Sequence, residues 1–353
     1  MADIKQYLQQ VIDSKASDLH LIAGIPPTLR IEGELVPVPS AGILTPDDIG
    51  ELLKQSLSSE QLEHLTVNKE IDFSFPFSDK GRFRVNAYTQ KNTLAAAFRL
   101  IPLDIPTIDS LGLPKILHTF TTLRQGFVLV TGPTGHGKST SLAAMLNEIN
   151  FTRGTHIVTI EDPVEFVFKP NKSIISQREM HGDTHSWPVA LRSVLREDPD
   201  VVLVGEMRDY ETIAAALTVA ETGHLVFATL HTNSAAQTID RIVDVFPEEQ
   251  QKQVRLQLSN VLEAVFSQRL IPSTTKGRVV TYEVMLATTA VRTAIREGKT
   301  HQIESILETS QEVGMSTLER SLADLVKRGI VTMEVAQSWS LRPEELARLV
   351  KAV

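Results

Sequence analysis

The residues best equipped for chemistry lie in one stretch, Gly132-Pro133-Thr134-Gly135-His136-Gly137-Lys138-Ser139, followed by Thr140. It fits the pattern G-x-x-x-x-G-K-S/T without a gap, and it sits between an apolar run and a helical pattern, the context that makes the motif specific. Glycines let the backbone wrap closely around phosphate, while turned N–H groups and a helix N-terminus point at it. Lys138 adds a cation and Ser139 a hydroxyl for Mg²⁺. The predicted ligand is a nucleoside triphosphate with Mg²⁺, held along Gly132 to Thr140. His136 is the odd member. Such a loop binds through backbone amides, so the imidazole is expected to point away; the alternative has it sense the γ-phosphate and make binding mildly pH-sensitive.

Hydrolysis also needs a group that orients water and completes the metal shell. Two acidic clusters end apolar runs: Glu161-Asp162-Pro163-Val164-Glu165, and Val201 to Val204 followed by Gly205-Glu206. Ligands of open α/β sheets bind at the carboxyl ends of the strands. Glu206, the single carboxylate at its strand end, is the first choice to polarise water and to reach the metal through a water. Glu161, Asp162 and Glu165 are expected to tune Mg²⁺ and its waters, although each carboxylate would also serve as a helix cap. Downstream, His224 and His231 flank the apolar run Leu225–Leu230. His231 falls where a γ-phosphate sensor would sit, and His224 is taken as a nucleotide-binding candidate. Seven residues across a strand is the wrong spacing for a local zinc chelate, and a structural histidine is the alternative for both.

These groups need a scaffold. Uniformly apolar strand patterns at Phe127–Thr131, His156–Ile160, Val201–Val204, Leu225–Leu230 and Val279–Val284 alternate with helices expected at 138–150, 186–197, 210–222 and 247–270. Short strands of this kind are covered on both faces, which predicts a largely parallel, doubly wound sheet. The segment 287–353 reads as amphipathic helices. Before residue 105 the pattern is that of a smaller α/β domain. Ile4, Tyr7, Leu8, Val11 and Ile12 have helical spacing; Leu19–Ile22 and Leu29–Ile31 read as strands; Thr45 with Asp48 resembles a capping pair. Ile71–Phe77 and Arg82–Tyr88 alternate with period two, and Leu94–Ile101 reads as a further strand. Pro102, Pro106, Gly112 and Pro114 mark a linker, placing the boundary near 105.

Composition narrows the classes. The chain has 353 residues, 42% hydrophobic and 22% charged, close to the globular average and long enough for two domains. It has no cysteine, which excludes disulfides, thiol catalysis and Cys-built metal sites. A formal charge of −8 gives no global attraction to nucleic acid, so none is expected as a partner. No apolar run approaches bilayer length, and Met1-Ala2-Asp3-Ile4-Lys5 does not open a secretory leader.

The phosphate loop, Glu161–Glu165, Gly205-Glu206 and the His224/His231 segment, in this order, resemble the Walker A, Asp box, atypical Walker B and His box of the secretion ATPase superfamily. Ser17-Asp18-Leu19-His20, Gly81-Arg82-Phe83-Arg84-Val85-Asn86 and Phe98-Arg99-Leu100-Ile101-Pro102 are similar to stretches of its type IV pilus retraction ATPase (PilT) family, as are Arg296-Glu297-Gly298-Lys299 and Gly314-Met315-Ser316-Thr317-Leu318. The chain departs from that family at His136, where Ser is usual, and across Val291–Glu297.

The resemblance implies a PAS-like N-terminal domain (1–105), a RecA-like P-loop ATPase core (106–286) and a helical C-terminal extension (287–353). It implies a homohexameric, cytoplasmic, ATP-hydrolysing motor that is peripheral to the inner membrane. That motor would drive pilus retraction for twitching motility by acting on an inner-membrane platform protein, with room for a second retraction ATPase. It further implies that Arg84 and Arg99 reach a neighbouring site's phosphates. Arg84 alternates with Phe83 and Val85 and so faces the polar side, and Arg82 shares that face less suitably. Extension or type II secretion ATPases are the nearest alternative; they commonly carry a four-cysteine element after the segment equivalent to Gln268-Arg269-Leu270, and this chain has no cysteine. A DNA translocase and a non-hydrolysing scaffold are the others.

Overall fold

A computed structural model describes residues 3–39, 41–77, 81–101, 104–275 and 277–351. Met1, Ala2 and Pro102, named above, lie outside them. The chain divides into two units, one formed by the chain up to Asp104 together with Pro163–Val167, the other by Ile105–Asp162 and the chain from Phe168 onward.

The first unit contains α1 (Ile4–Asp13), β1 (Asp18–Ile22), β2 (Thr28–Ile31), β3 (Glu34–Pro37), α2 (Pro46–Lys54), α3 (Ser59–Asn68), β4 (Glu70–Phe77), β5 (Gly81–Gln90) and β6 (Thr93–Ile101). Helix α1 buries Ile4, Leu8 and Val11, the apolar positions of its 3.6-residue period. Thr45 and Asp48 do form a capping box at α2: each side chain meets the other residue's backbone N–H, with the Asp48 carboxylate 2.8 Å from the Thr45 nitrogen. One methylene less than Glu still spans the turn. The strands form an antiparallel sheet in the order β3-β2-β1-β6-β5-β4. Along β5, Gly81, Phe83, Val85 and Ala87 are buried, while Arg82, Arg84 and Asn86 are half-exposed. A one-residue slip would bury the arginines, so burial pins the register. Strand β3 is exposed throughout and pairs with β2 at the sheet edge, which is why no apolar pattern announces it.

The second unit runs α4 (Ile116–Thr122), β7 (Gly126–Thr131), α5 (Lys138–Thr152), β8 (His156–Glu161), β9 (Ile174–Glu179), α6 (Trp187–Val194), β10 (Val201–Val204), α7 (Tyr210–Glu221) and β11 (Leu225–Leu230). It continues with α8 (Ala235–Asp244), α9 (Glu248–Val261), β12 (Leu262–Pro272), β13 (Arg278–Leu286), α10 (Thr289–Arg296), α11 (Ile303–Thr309), α12 (Leu318–Lys327), α13 (Met333–Trp339) and α14 (Pro343–Lys351). The sheet order is β13-β12-β7-β11-β10-β8-β9, with only the β12/β13 pair antiparallel. Every residue of β7, β10 and β11 is buried, as a sheet covered on both faces demands.

One expectation fails. The helix predicted over 247–270 ends at Val261, and Leu262 opens a strand. No glycine or proline marks the change. Leu262–Ser267 pairs with β7 and the whole strand is nearly continuously buried, so sheet pairing overrides local helix propensity. The C-terminal helices α12, α13 and α14 share a small core with Ile271 of β12, built on Leu318, Leu322, Ala336 and Leu346.

Candidate active site

Parallel pairing brings the carboxyl ends of β7, β8, β10 and β11 to one edge of the sheet, where Leu230 is level with Thr131 and Val204 with Ile160. The phosphate loop, Glu206 and His231 follow those ends directly. The phosphate loop follows Thr131 and closes into α5, whose first residue is Lys138. Gly132 has φ +139°, and a Cβ there would collide with the carbonyl of Gln268, so the loop passes against β12 closer than any side chain allows. Ser139 lies in the first turn of α5, half-exposed, and Thr140 follows it.

Lys138 is buried, and its ammonium donates to the carbonyls of Gly132 (2.8 Å) and Pro133 (3.1 Å). It also lies 3.3 Å from Nδ1 of His231, as does the Thr134 hydroxyl. The other imidazole nitrogen, Nε2, is 2.9 Å from Oε1 of Glu206. An ammonium on one side and a carboxylate on the other assign the tautomer: Nδ1 accepts and Nε2–H donates. Glu206 in turn receives a bidentate pair from Arg208, Nε to Oε1 at 2.7 Å and NH2 to Oε2 at 2.8 Å. Burial works to raise the Glu206 pKa, but the Arg208 hydrogen bonds and charge, followed by His231, outweigh it and hold the carboxyl below its usual range. Arg208 is 79% exposed, so the guanidinium that holds Glu206 is itself open to solvent. Sequence reading missed Arg208; the signal available was a guanidinium two residues beyond a strand-end carboxylate.

Gly205 is held by its N–H to the Ile160 carbonyl (2.8 Å), and its own carbonyl accepts from the Thr229 hydroxyl. Three strands thus aim Glu206. A small cleft of about 130 Å³ beside it is lined by Asp162, Trp187, Glu206, Arg208 and Asp209. Glu161 is buried and accepts from the Thr159 hydroxyl (2.6 Å) and the Gln177 amide (3.2 Å).

Other candidates stand apart. His224 precedes β11 at its amino end, and six strand residues separate it from His231, roughly 20 Å at strand rise. Its Nδ1 contacts the Val219 carbonyl (3.1 Å) and the Thr222 hydroxyl (3.0 Å), a local capping arrangement at the end of the strand opposite the phosphate loop. Glu165 belongs with the first unit. So do Arg84 and Arg99, directly opposed across β5 and β6. Arg99 Nε donates to Asp18 at 2.9 Å, and Ser17 also donates to that carboxylate at 2.7 Å. Burial favours a higher Asp18 pKa, but the hydrogen bonds from Ser17 and Arg99 and the Arg99 charge prevail and lower it. Arg99 remains 68% exposed. His136 turns away from the mouth of the loop, its Nδ1 accepting from the Leu270 N–H.

The Ser139 hydroxyl in the first turn of α5 and the Glu206 and Asp162 carboxylates that line the cleft are oxygen donors of the kind a hard cation takes. Among the described residues no helix is long and apolar enough to cross a membrane.

The profile of the type II/IV secretion system protein family matches residues 1–338. The chain is 47% identical to the type IV pilus retractation ATPase PilT of Pseudomonas aeruginosa over 97% of its own length and 99% of that protein's. It is also 47% identical to a twitching motility protein of Neisseria gonorrhoeae, across 92% of this chain and 87% of the relative. Among solved structures, the pilus retraction motor PilT with bound ADP superposes with a TM-score of 0.92 at 46% identity, covering 99% of this chain and 100% of that one. Phosphate loop, strand-end glutamate and histidine thus occur in a chain alike from end to end, and the protein belongs to the PilT family of type IV pilus retraction ATPases within the secretion ATPase superfamily.

Proposed function

We propose that this chain is a Mg²⁺-dependent ATPase motor that retracts type IV pili. The observation that carries the reading is the convergence of Lys138, His231 and Glu206 at one sheet edge, in a chain of the retraction family. The backbone amides of Gly132 to Ser139 and the Lys138 ammonium cradle the phosphates, with Thr140 at the base of the loop. Glu206, released from Arg208, orients a water in line with the γ-phosphorus and takes its proton; the water oxygen bonds to the γ-phosphorus as the bond to the bridging oxygen breaks, and ADP and inorganic phosphate leave. His231, donating to Glu206 and accepting from Lys138, senses whether the γ-phosphate is present. Ser139 would hold Mg²⁺, with the carboxylates of Glu206 and Asp162 reaching it through water, and the ion would neutralise the phosphate charge.

The same reading takes the first unit as a PAS-like domain (1–105), residues 106–286 as a RecA-like core and 287–353 as its helical extension. In a homohexameric ring Arg84 and Arg99 act on a neighbouring subunit's phosphates. The partner is a platform protein at the cytoplasmic face of the inner membrane, with a second retraction ATPase as a further co-worker. The test is a deletion strain. Abundant pili with lost surface motility support retraction; bald cells overturn it in favour of extension. Phosphate release by purified protein that persists in Glu206→Gln would remove Glu206 from its role.

A further inference from the structure

Strand β12 outruns its neighbour. Ser267 pairs with Thr131, the last residue of β7, yet β12 continues to Pro272 against β13. Beyond Thr131 the chain has turned into the phosphate loop, so that edge of β12 has no strand to pair with, and its N–H groups need other partners. The loop provides one with a side chain. The Leu270 N–H donates to His136 Nδ1 at 2.9 Å, and the Gln268 amide donates to the His136 carbonyl at 2.6 Å. Arg278 of β13 donates to the neighbouring carbonyl, that of Gly135, at 3.1 Å.

The other side of the imidazole meets α13. The rings of His136 and Trp339 lie 5.5 Å apart between centroids, inclined at 60°. Trp339 is itself anchored. Arg269, buried on β12, donates to the Trp339 carbonyl at 2.6 Å and to the Asn233 carbonyl at 3.3 Å, two residues beyond His231. Buried Glu319 accepts from the Ser340 hydroxyl and from the N–H groups of Leu341 and Arg342, each at 3.0 Å, which fixes the turn after α13. Helix α13 therefore touches the phosphate loop through His136 and the loop after β11 through Arg269.

We propose that His136 is a positioning residue: accepting from Leu270 and seated on Trp339, it clamps the phosphate loop to the C-terminal helices, so that those helices set nucleotide affinity. The clamp requires a neutral ring, since an imidazolium has no lone pair to accept with. Burial, and then the charges of Arg278, Lys138 and Arg269, push its pKa down and favour that form. The inference rests on nucleotide binding at this loop, and the experiment separates the two.

ADP affinity and steady-state ATP hydrolysis are measured on the full chain for wild type, His136→Ser, His136→Asn, Trp339→Ala and the double variant His136→Ser/Trp339→Ala. One hydrogen bond and one ring contact together correspond to a loss of about tenfold in ADP affinity for His136→Ser. The loss falls on KM more than on kcat. Asn carries an oxygen close to the position of Nδ1, so His136→Asn recovers most of the affinity. The double variant binds no more weakly than the weaker single variant, because both changes break one clamp. Equal losses in the Ser and Asn variants, losses that multiply in the double variant, or unchanged affinity throughout would overturn the clamp alone. No ADP binding by the wild type would overturn the nucleotide site with it.

Discussion

The Nε2–H of His231 is aimed at the carboxylate of Glu206, 2.9 Å away, and this contact joins the ends of two adjacent parallel strands. Its other nitrogen meets the Lys138 ammonium, so any ligand that draws Lys138 off the loop carbonyls changes what His231 can donate to Glu206. Occupancy of the phosphate loop is thereby linked to the state of the carboxylate.

Removing the Glu206 charge while keeping its shape separates binding from turnover. Glu206→Gln is expected to lower kcat by about a hundredfold or more, the scale of a lost general base, while ADP affinity stays within about threefold. Phosphate release and ADP titration on the same preparation check it; a variant that still turns over at the wild-type rate would assign the water to another residue.

Gly132 has no room for a side chain. Gly132→Ala forces a methyl group into the Gln268 carbonyl at φ +139°, and the strain alone amounts to roughly 1–3 kcal/mol. The melting temperature is expected to fall and nucleotide binding to be lost. A variant with wild-type stability and affinity would mean that β12 gives way easily.

Arg84 and Arg99 can be tested by subunit mixing. Each Arg→Ala variant is expected to form rings yet lose on the order of 10³ in kcat, as an arginine acting on the transferring phosphoryl group does. Rings mixed from Arg99→Ala and Glu206→Gln subunits should regain part of the activity, because some interfaces then combine an intact arginine with an intact glutamate. Mixed rings as inactive as either parent would place the arginines outside the neighbouring site.

Asp18 should then matter through Arg99. Asp18→Asn leaves the Ser17 contact available but removes the charge that orients the guanidinium. A smaller loss than in Arg99→Ala is expected, and none when Asp18→Asn is added to Arg99→Ala.

Glu283 predicts a pH dependence of stability. Burial raises its pKa to about 7, against the stabilising N–H of Ala235 at 2.7 Å and with the repulsion of Glu319 added. A carboxyl raised on folding holds its proton better in the native state, so its contribution is present below its unfolded pKa and is lost as pH rises to about 7. Glu283→Gln, which keeps an acceptor for Ala235, should remove this loss and stabilise the protein above pH 7 by up to roughly 3 kcal/mol. Thermal melts at pH 5 and pH 8 check the sign. A variant no more stable than wild type at pH 8 would show that Glu283 is charged at no cost in the fold.

What the sequence determined by itself was whatever depends on residues close along the chain. The phosphate loop, the buried runs of β7, β10 and β11, the alternation of β5 and the Thr45–Asp48 capping box are of this kind, since each is specified by spacing over a turn or a strand. Only the tertiary structure decided that 262–270 is a strand, because the same apolar residues suit a helix until β7 offers them a ladder. It also chose the partners of the two histidines that flank β11, giving His231 to Glu206 and Lys138 and His224 to the Val219 carbonyl. The partner of His136 lies 134 residues away, on an N–H left over where one strand stops and its neighbour continues. Such a vacancy is created by strand lengths and sheet order, which no local spacing encodes, and the imidazole finds its role there.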